Sequence, residues 1–329
     1  MHYLGIDVSK AKLHCTWFRP ETGKPQSKSL PNDAAGHAAL LAWLRQRKGV
    51  AGAAWHAVLE ATGVYHEAVA LALHQAGVRV SVVNPAQVKD FARGLAVRSK
   101  SDARDSAVLA RYGALVQPSA WAPPPPEVRE LRALLQRLEA IETDLRRELN
   151  RLEKSTVSAA PRPVHDSLQT SLGFLREQKA RLEQEIDDHI DRYPDLREAR
   201  ARLLTIPAIG PKTALRVLTV LRARTFRRAE QAAAYLGLVP VECTSGTSLH
   251  KRPRLSKAGD ARVRAALYMA AVVATRHNPD VRALYQRLIA RGKAKMAALG
   301  AAMRKLVHIC FGVLKHRCDY RPQVGPCDA

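Results

Sequence analysis

Four acidic residues in the first third of the chain have the spacing of a site for divalent metal ions. Asp7 and Glu60 each end a short apolar run, and Asp102 and Asp105 stand three residues apart where a helical pattern begins. Open α/β sheets place their sites at the carboxyl ends of strands, and residues three apart share one face of a helix. Because carboxylate clusters bind hard cations such as Mg²⁺ or Mn²⁺, the pattern indicates metal-dependent phosphodiester chemistry.

Each acid also has a purely structural interpretation when it is taken alone. A single aspartate after a strand is usually a turn or helix-cap residue, and Asp102 can cap its helix beside Ser101. The joint arrangement favours the metal site, because two strand-end acids and a D-x-x-D pair stand together in a chain that is otherwise strongly basic.

The net charge predicts a polyanionic partner. Lys and Arg total 53 against 30 acidic residues, a formal charge of +23 with a pI near 10.3. Basic residues neutralise phosphates and release counterions, which gives affinity for nucleic acid without sequence information. An anionic membrane surface is the competing partner, but the longest apolar run, around 265–275, is too short to span a bilayer. We therefore expect nucleic acid and no membrane.

Length limits the number of domains, and the N-terminus and the cysteines indicate the cellular compartment. Its 329 residues are enough for two domains with cores of their own. The N-terminus enters a strand directly and has no secretory signal, so we expect a cytoplasmic protein associated with the nucleoid. The cysteines are odd in number and form no C-x-x-C pair, which predicts reduced thiols and no structural zinc site. They are Cys15, Cys243, Cys310, Cys318 and Cys327.

The hydrophobic pattern divides the chain into an α/β part and an all-α part. Up to about residue 115, predicted strands at 4–6, 14–18, 54–59 and 78–83 alternate with predicted helices at 34–46 and 66–76. After the prolines at 123–126, leucines follow at three- and four-residue spacing in two runs separated by a second proline segment. This predicts an antiparallel, coiled-coil-like helical hairpin, packed within one subunit or forming a dimer interface.

From about residue 200 the pattern predicts a compact helical domain. Residues 203–214 have the form of a helix-hairpin-helix, whose turn presents backbone N–H groups to a phosphate, although a short helix pair without nucleic acid fits as well. A Ser-Gly turn at 245–246 and a basic run at 250–257 follow. Serine is also an ordinary loop residue, and no His-Asp pair lies nearby to activate one. The cations that we expect to bind nucleic acid are Lys212, Lys251, Arg252, Arg254 and Lys257.

Seven short segments, in order over nearly the whole chain, form a joint pattern. They are Gly-Ile-Asp-Val-Ser-Lys at 5–10, Glu-Ala-Thr-Gly at 60–63, Val-Asn-Pro at 83–85, Lys-Ser-Asp-Ala-Arg-Asp-Ser at 100–106, Ser-Gly at 245–246, Arg-Leu-Ser-Lys-Ala-Gly at 254–259 and Arg264. Together they resemble the DEDD transposases of the bridge-RNA-guided insertion sequences, which are relatives of the Piv-type DNA invertases. The order and number of the segments make this resemblance more specific than any single motif.

The resemblance implies a fold class of α/β plus all-α in three domains. A RuvC-like, ribonuclease-H-like domain is expected at 1–122, a coiled-coil insertion at 123–198, and a helical transposase domain at 199–329. It implies that Asp7, Glu60, Asp102 and Asp105 bind Mg²⁺, as two ions, with Mn²⁺ as a substitute. Ser245 matches the family nucleophile and is preferred over Ser248 and Ser256, because it directly precedes Gly246.

The same resemblance implies an RNA-guided DNA transposase or recombinase that acts through a covalent phosphoserine intermediate. Its expected partners are donor and target DNA, a guide RNA, and further copies of the chain as a dimer or tetramer. Three other functions stay open: a RuvC-like junction endonuclease that uses the acids alone, an actin-like ATPase or sugar kinase, and a non-catalytic scaffold. The kinase is disfavoured because the chain has no Walker-type phosphate loop.

Overall fold

The computed structural model describes residues 1–18, 25–46, 55–61, 63–95, 101–245 and 249–323, with the backbone alone at 243–245 and 249–252. The chain divides into two compact units, Met1–Pro123 and Pro124–Ala329. The boundary falls in the run of four prolines at 123–126. Because proline lacks a backbone donor and restricts its neighbours, such a run favours extended backbone between two packed units.

A five-stranded sheet forms the centre of the first unit, in the order β3-β2-β1-β4-β5. Antiparallel pairing joins β1 to β2 and β2 to β3, whereas β4 and β5 are added in parallel. Four strands lie where the sequence predicts them. β3 was not predicted, because all but one of its residues are exposed and it has no apolar run. The bounds are β1 (His2–Val8), β2 (Lys12–Phe18), β3 (Gln26–Pro31), β4 (Trp55–Glu60) and β5 (Arg79–Val83).

Helices cover both faces of this sheet, which explains why β1 and β4 read as nearly continuous apolar runs. On one face, buried residues of β1, β2 and β4 such as Leu4, Leu13 and Leu59 pack with α1 and α2. On the other face, Val58 packs with residues of α3 and α4. The helices are α1 (Ala34–Arg45), α2 (Glu67–Gln75), α3 (Pro85–Gly94) and α4 (Asp102–Val116).

Two glycines allow α4 to lie directly on the sheet. A β-carbon at Gly5 of β1 would lie 1.9 Å from the carbonyl oxygen of Ser106 and 2.4 Å from the backbone nitrogen of Ala110. A β-carbon at Gly113 would lie 2.8 Å from Cγ2 of Val58 on β4. All three distances are shorter than the contacts that β-carbons make in proteins, so glycine at both positions permits this approach. The position of α4 along β1 is therefore set by backbone contact.

A chain of three hydroxyl groups joins the same helix to the two hairpin strands. Thr16 Oγ1 on β2 lies 2.7 Å from Ser106 Oγ on α4 and 2.9 Å from Ser27 Oγ on β3. Thr16 and Ser106 are fully buried, so these bonds satisfy polar groups that would otherwise be costly to bury.

The segment after β5 both ends a strand and begins a helix. β5 ends at Val83, directly before Asn84-Pro85, and Asn84 Oδ1 accepts a hydrogen bond of 2.9 Å from Ala86 N. With Asn84 as N-cap and Pro85 in the first turn, α3 has the usual start of a helix.

The second unit begins with two long antiparallel helices, as the sequence predicts. They are α5 (Pro126–Val157) and α6 (Arg162–Arg192). The start of α5 and the end of α6 are in contact, since His189 Nε2 lies 2.8 Å from the carbonyl oxygen of Glu127. Leu131 and Ile190 are fully buried in this unit. Glu148 interrupts the apolar spacing and forms an ion pair with Arg151 of the same helix. The coiled-coil character of the pair stays a prediction.

In its described residues, the second unit also contains six further helices and one two-stranded hairpin. A single apolar core holds the helices together and includes Leu203, Leu218 and Leu267. The hairpin pairs β6 with β7 in antiparallel fashion, with an irregularity between Val241 and Cys243, in a region that the sequence predicts as helical with a Ser-Gly turn. The elements are α7 (Pro194–Leu204), α8 (Pro211–Ala223), α9 (Ala229–Tyr235), β6 (Pro240–Ser245), β7 (Leu249–Leu255), α10 (Ala261–His277), α11 (Pro279–Ala290) and α12 (Lys295–His316).

The helix α12 is both long and apolar. Among the residues that the structure describes, it alone has the length and composition to cross a membrane. Its residues Leu306, Val307 and Cys310 are fully buried in the core of the second unit. The run around 265–275, which the sequence analysis took as the longest apolar candidate, forms part of α10. A core helix passes the same length and composition test, so α12 is weak support for a membrane span.

Three cysteines have described side chains, and all three are free thiols. Cys15 and Cys310 are buried and Cys318 is exposed. Burial raises the pKa of Cys15 and of Cys310 to about 12, so both stay protonated and unreactive at neutral pH. This agrees with the predicted reduced thiols at these positions.

One buried histidine links the stability of the first unit to pH. His56 Nε2 on β4 lies 2.8 Å from Ser81 Oγ, and Ser81 in turn donates to the carbonyl oxygen of Ser119 at 2.8 Å. Burial and the charge of Arg79 lower the pKa of His56 to about 4. The folded unit therefore holds this histidine neutral, with its Nε2–H donating to the hydroxyl oxygen of Ser81.

We expect this histidine to lower the free energy of unfolding by about 2 kcal/mol between pH 7 and pH 5. The unfolded chain protonates His56 below its ordinary pKa of 6.5, whereas the folded unit does so only near 4. The contribution is thus complete above pH 6.5 and is lost as the pH falls toward 4. Urea unfolding of the wild type and of His56→Gln at both pH values measures the difference.

Tryptophan fluorescence isolates the relevant unit, because all four tryptophans, Trp17, Trp43, Trp55 and Trp121, lie in the first unit. The wild type should lose about 2 kcal/mol more than His56→Gln on going to pH 5, since the glutamine amide does not titrate. An equal loss in both proteins would contradict the assignment.

Candidate functional site

Adjacent parallel strands carry Asp7 and Glu60 to the same edge of the sheet. Ile6 of β1 pairs with Leu59 of β4, so the next residues of the two strands, Asp7 and Glu60, lie side by side. Neighbouring strands are about 4.8 Å apart. Both acids are half-buried and both have interactions within the protein. The sequence prediction that two strand ends aim at one point agrees with this register.

The two acids also lie on the same face of the sheet, the one that α4 covers. Successive side chains of a strand alternate between faces, so Asp7 shares the face of Gly5, and Glu60 shares that of Val58. Gly5 faces the backbone of α4, and Val58 contacts the same helix at Gly113.

The first turn of α4 carries the other two acids. Asp102 is exposed, Asp105 is half-buried, and both belong to this turn. The N-cap residue is Ser101, so the alternative of Asp102 as the helix cap is wrong. Acidic side chains in a first turn are favoured by the helix dipole, typically by about 0.3–1 kcal/mol each, which lowers the cost of placing them together.

The direction of α4 brings its first turn to the strand ends. Gly5 lies against Ser106, whereas Tyr3, earlier in β1, lies near Gly113, later in α4. The helix therefore runs opposite to β1, and its first turn lies beyond Gly5, toward Asp7. Four acids from β1, β4 and α4 thus reach one face at one edge of the sheet.

A histidine that the sequence analysis did not select lies among these acids. His14 of β2 pairs with Asp7 of β1, and His14 Nε2 lies 3.1 Å from Asp102 Oδ2. In the sequence, His14 stands two residues before Thr16, so the two side chains lie on the same face of a strand. This spacing does not predict the contact with Asp102, because that contact depends on the register of β1 with β2.

The arrangement suits a hard cation by the chemistry of its donors, since all four groups are carboxylates. Within the described ranges, however, no three His, Cys, Asp or Glu side chains are arranged closely enough to hold a metal ion. The fold collects the acids on one face, but in the described conformation their side chains do not form a coordination shell.

Ser245, the predicted nucleophile, is the last residue of β6. Its backbone pairs with Leu249 of β7, and its side chain is outside the described part of the chain, as is the whole of Ser248. Ser256 Oγ is buried and has no hydrogen-bond partner among the described residues, so in this conformation it is shielded from a phosphate.

The base of this hairpin is held by close backbone contacts. Gly237 and Gly259 both have positive φ, and a β-carbon at either would lie about 2 Å from a carbonyl oxygen, of Ala258 and Tyr235 respectively. The guanidinium of Arg264 donates to the carbonyl oxygens of Ala258 at 2.7 Å and Gly259 at 2.9 Å. These contacts fix the direction in which β6 and β7 leave the helical core.

The five predicted nucleic-acid-binding cations have different environments. Arg254 and Lys257 are exposed, whereas for Lys251 and Arg252 only the backbone is described, both in β7. Lys212, at the start of α8, forms an ion pair with Glu142 of α5. A phosphate that binds Lys212 would therefore compete with that carboxylate.

The turn between α7 and α8 contains one strained residue. Ala208 has φ of 79°, a value that favours glycine, and Gly210 is the N-cap of α8. The carbonyl oxygen of Pro207 accepts a hydrogen bond of 3.4 Å from Asn278 Nδ2. The two helices lie where the helix-hairpin-helix was predicted, and phosphate binding by their turn stays a prediction.

Comparison with known proteins identifies the family. A family model for DEDD transposases of the IS110 type matches residues 4–160, and the model described as "Transposase IS116/IS110/IS902 family" matches residues 200–286. The pilin gene-inverting protein of Moraxella lacunata is 30% identical over 324 residues, which cover 98% of both chains. The chain belongs to the IS110 transposase family.

Other relatives of this transposase match over part of its length. An uncharacterised 43.6 kDa protein of the insertion element IS110 from Streptomyces coelicolor is 30% identical over 49% of this chain and 39% of its own. The structure of T. thermophilus RuvC in complex with a Holliday junction substrate covers 36% of this chain and 98% of that one, at 16% identity and a TM-score of 0.28. So low a score supports no conclusion about the fold.

Membership in this family makes the chain a DNA transposase or recombinase, as predicted. The kinase and scaffold alternatives are therefore wrong. What the family does not decide is the chemistry at Asp7, Glu60, Asp102, Asp105 and Ser245.

We expect Gly5→Ala to disrupt the site through the backbone. The new β-carbon would collide with the backbone of α4, and overpacking of this kind costs about 3 kcal/mol or more when backbone must move. Because α4 carries Asp102 and Asp105, recombination should be lost together with stability. Urea unfolding followed by tryptophan fluorescence measures the first, and junction formation in cells measures the second.

Gly94→Ala is the matched control, since a β-carbon at Gly94 meets nothing within 4 Å. In a helix this change should be neutral or stabilising by up to about 1 kcal/mol. Wild-type stability in Gly5→Ala would show that α4 does not rest on β1 as described.

Proposed function

We propose that this transposase cleaves and rejoins DNA with a composite site, in which four carboxylates bind two Mg²⁺ ions and Ser245 forms a covalent phosphoserine. The observation that carries the proposal is the convergence of Asp7, Glu60, Asp102 and Asp105 on one face at the sheet edge. Four negative charges at one place repel each other, so the cluster is unfavourable unless a cation binds there. The chain has a net charge of +23, so these acids are not part of a generally acidic protein.

The carboxylates would hold the ions through oxygen ligands, with Mn²⁺ able to replace Mg²⁺. When bound, such ions activate an attacking oxygen and stabilise the leaving oxygen in a phosphoryl transfer. The backbone sets where the acids stand: Gly5 sets the position of α4, and the strand register sets that of Asp7 beside Glu60. Placement matters because small displacements of reacting groups cost large factors in rate.

Ser245 would attack a backbone phosphate of the DNA. Its Oγ forms a bond to phosphorus and loses its proton to solvent, while the bond from phosphorus to one deoxyribose oxygen breaks and that oxygen takes up a proton. The phosphodiester is kept as a seryl ester, so a second strand end can attack it and release Ser245. Ser245 ends the first strand of a hairpin whose base is held by Arg264, which supports a defined position for the backbone of the nucleophile.

The basic surface would position the nucleic acids. Arg254 and Lys257 are exposed close to the base of the hairpin that bears Ser245. Lys251, Arg252 and Lys212 complete the proposed set, which contacts phosphates without reading sequence. Donor DNA, target DNA and a guide RNA are the proposed ligands, and a dimer or tetramer of the chain the proposed assembly, acting at the nucleoid in the cytoplasm.

We expect Asp7→Asn, Glu60→Gln, Asp102→Asn and Asp105→Asn each to lower recombination at least about a hundredfold, because each removes a charged metal ligand and keeps the side-chain shape. New junctions are counted by quantitative PCR from a plasmid that carries the chain's gene and its flanking DNA. Melting temperatures without Mg²⁺ should stay the same or rise, since repulsion is relieved.

Asp90→Asn is the control, because Asp90 is an exposed acid on α3 that pairs only with Arg93 in the described structure. Its recombination should equal that of the wild type. Full activity in any two of the four site variants would rule out the metal site.

Ser245 should become joined to DNA in a metal-dependent way. A serine hydroxyl is a weak nucleophile unless a base or metal activates it, so the adduct should need both Mg²⁺ and the four acids. Purified protein with its co-purifying RNA is incubated with end-labelled target DNA, denatured and separated by electrophoresis. The labelled protein band should be absent in Ser245→Ala and present in Ser256→Ala and Ser248→Ala.

An adduct that persists in Ser245→Ala would move the nucleophile to another residue. Efficient cutting by the wild type without any adduct would favour the alternative, a RuvC-like junction endonuclease that hydrolyses DNA with the acids alone. That alternative has one supporting feature, since all four acids belong to the first unit and Ser245 to the second.

A further inference from the structure

A histidine outside the four acids lies in the same cluster. His14 of β2 is the register partner of Asp7. It shares the face of Thr16, two residues on, whose hydroxyl contacts Ser106 of α4 at 2.7 Å. His14 is therefore on the face that α4 covers, beside the strand end that carries Asp7.

The contact of His14 is with one acid in particular. His14 Nε2 lies 3.1 Å from Asp102 Oδ2. The Asp102 side chain is 64% exposed, whereas that of His14 is 25% exposed. Asp102 is the first residue of α4, where a carboxylate has little packing around it to select a rotamer. The imidazole is the better-anchored partner and can hold the carboxylate in place.

We propose that His14 is a positioning residue of the acidic site, which holds the Asp102 carboxylate against the face that carries Asp7 and Glu60. The inference rests on the proposed metal-binding function of those acids. Groups that orient a ligand through a direct contact typically change metal affinity about 10–100-fold when they are removed. His14 would act on the ion through Asp102 and need not touch it.

The docking of α4 does not depend on His14. The helix already rests on Gly5, and the Thr16–Ser106 contact joins β2 to it within the core. Removal of the partly exposed imidazole should therefore leave the helix where it is. This separates a positioning role from a role in folding.

The test measures Mn²⁺ binding to the full-length protein without DNA, by isothermal titration calorimetry, so that activity is not the readout. His14→Ala should bind Mn²⁺ about tenfold more weakly than the wild type. His14→Gln should be close to wild type, because its amide nitrogen can reach Asp102. His14→Ala added to Asp102→Asn should give no further loss, since the two changes remove the same contact.

His74→Ala is the control, a change at an exposed histidine of α2 that packs against Trp121. It should bind Mn²⁺ like the wild type, and tryptophan-monitored melting should show that all variants fold.

The outcomes test the role of His14 and the existence of the metal site separately. Wild-type affinity in His14→Ala, with weakened binding in Asp102→Asn, would overturn the role of His14 and leave the metal site standing. A further loss in the double variant would show that His14 acts independently of Asp102, which also overturns it. A wild type that binds no Mn²⁺, or unchanged affinity in Asp102→Asn, would overturn the metal site and the role of His14 together.

Discussion

The close approach of α4 to β1 at Gly5 is the contact on which the acidic face depends. Ordinary side chains keep a helix apart from the sheet that it covers, and here the missing side chain at Gly5 brings backbone against backbone. Because the contact joins Gly5 to Ser106 and Ala110, it fixes how far α4 extends along β1. The first turn of the helix, with Asp102 and Asp105, is thereby placed next to the end of β1, where Asp7 stands.

The four acids on one face repel one another, which raises the electrostatic energy of the folded chain. The dipole of α4 favours the carboxylates of its first turn, and His14 contacts one of them. Asp7 and Glu60 lie on neighbouring strands, and both have interactions within the protein. A bound cation would lower the mutual repulsion of the four acids, which is why such a face in a strongly basic chain is an argument for metal binding.

In the second unit, close backbone contacts support a hairpin that leaves the helical core. Gly237 and Gly259 allow the chain segments at the hairpin base to pack backbone against backbone. Arg264 donates hydrogen bonds to two carbonyl oxygens of this base. Elsewhere in the unit, ion pairs join α5 to the helices that follow. Glu139 contacts both Arg216 and Arg262, so part of the large positive charge serves cohesion of the protein rather than nucleic-acid binding.

Local pattern in the sequence was enough to place the four acids on their elements. Buried runs predict β1 and β4, with Asp7 and Glu60 at their ends, and a spacing of three puts Asp102 and Asp105 on one helical face. The same reasoning found the long helical pair and the change of architecture at the prolines. It missed β3, whose exposed polar residues depend on pairing with β2 for their strand conformation.

Tertiary structure alone decided which of these elements meet. The contact of His14 with Asp102 joins residues 88 positions apart and follows from the register of β1 with β2 and from the placement of α4 by Gly5. The pairing of Lys212 with Glu142 likewise depends on how α5 packs on α8. Sequence periodicity reports the face on which a side chain lies, because that depends on its own helix or strand. It carries no information about which distant face will lie opposite, since that is settled by packing and strand register.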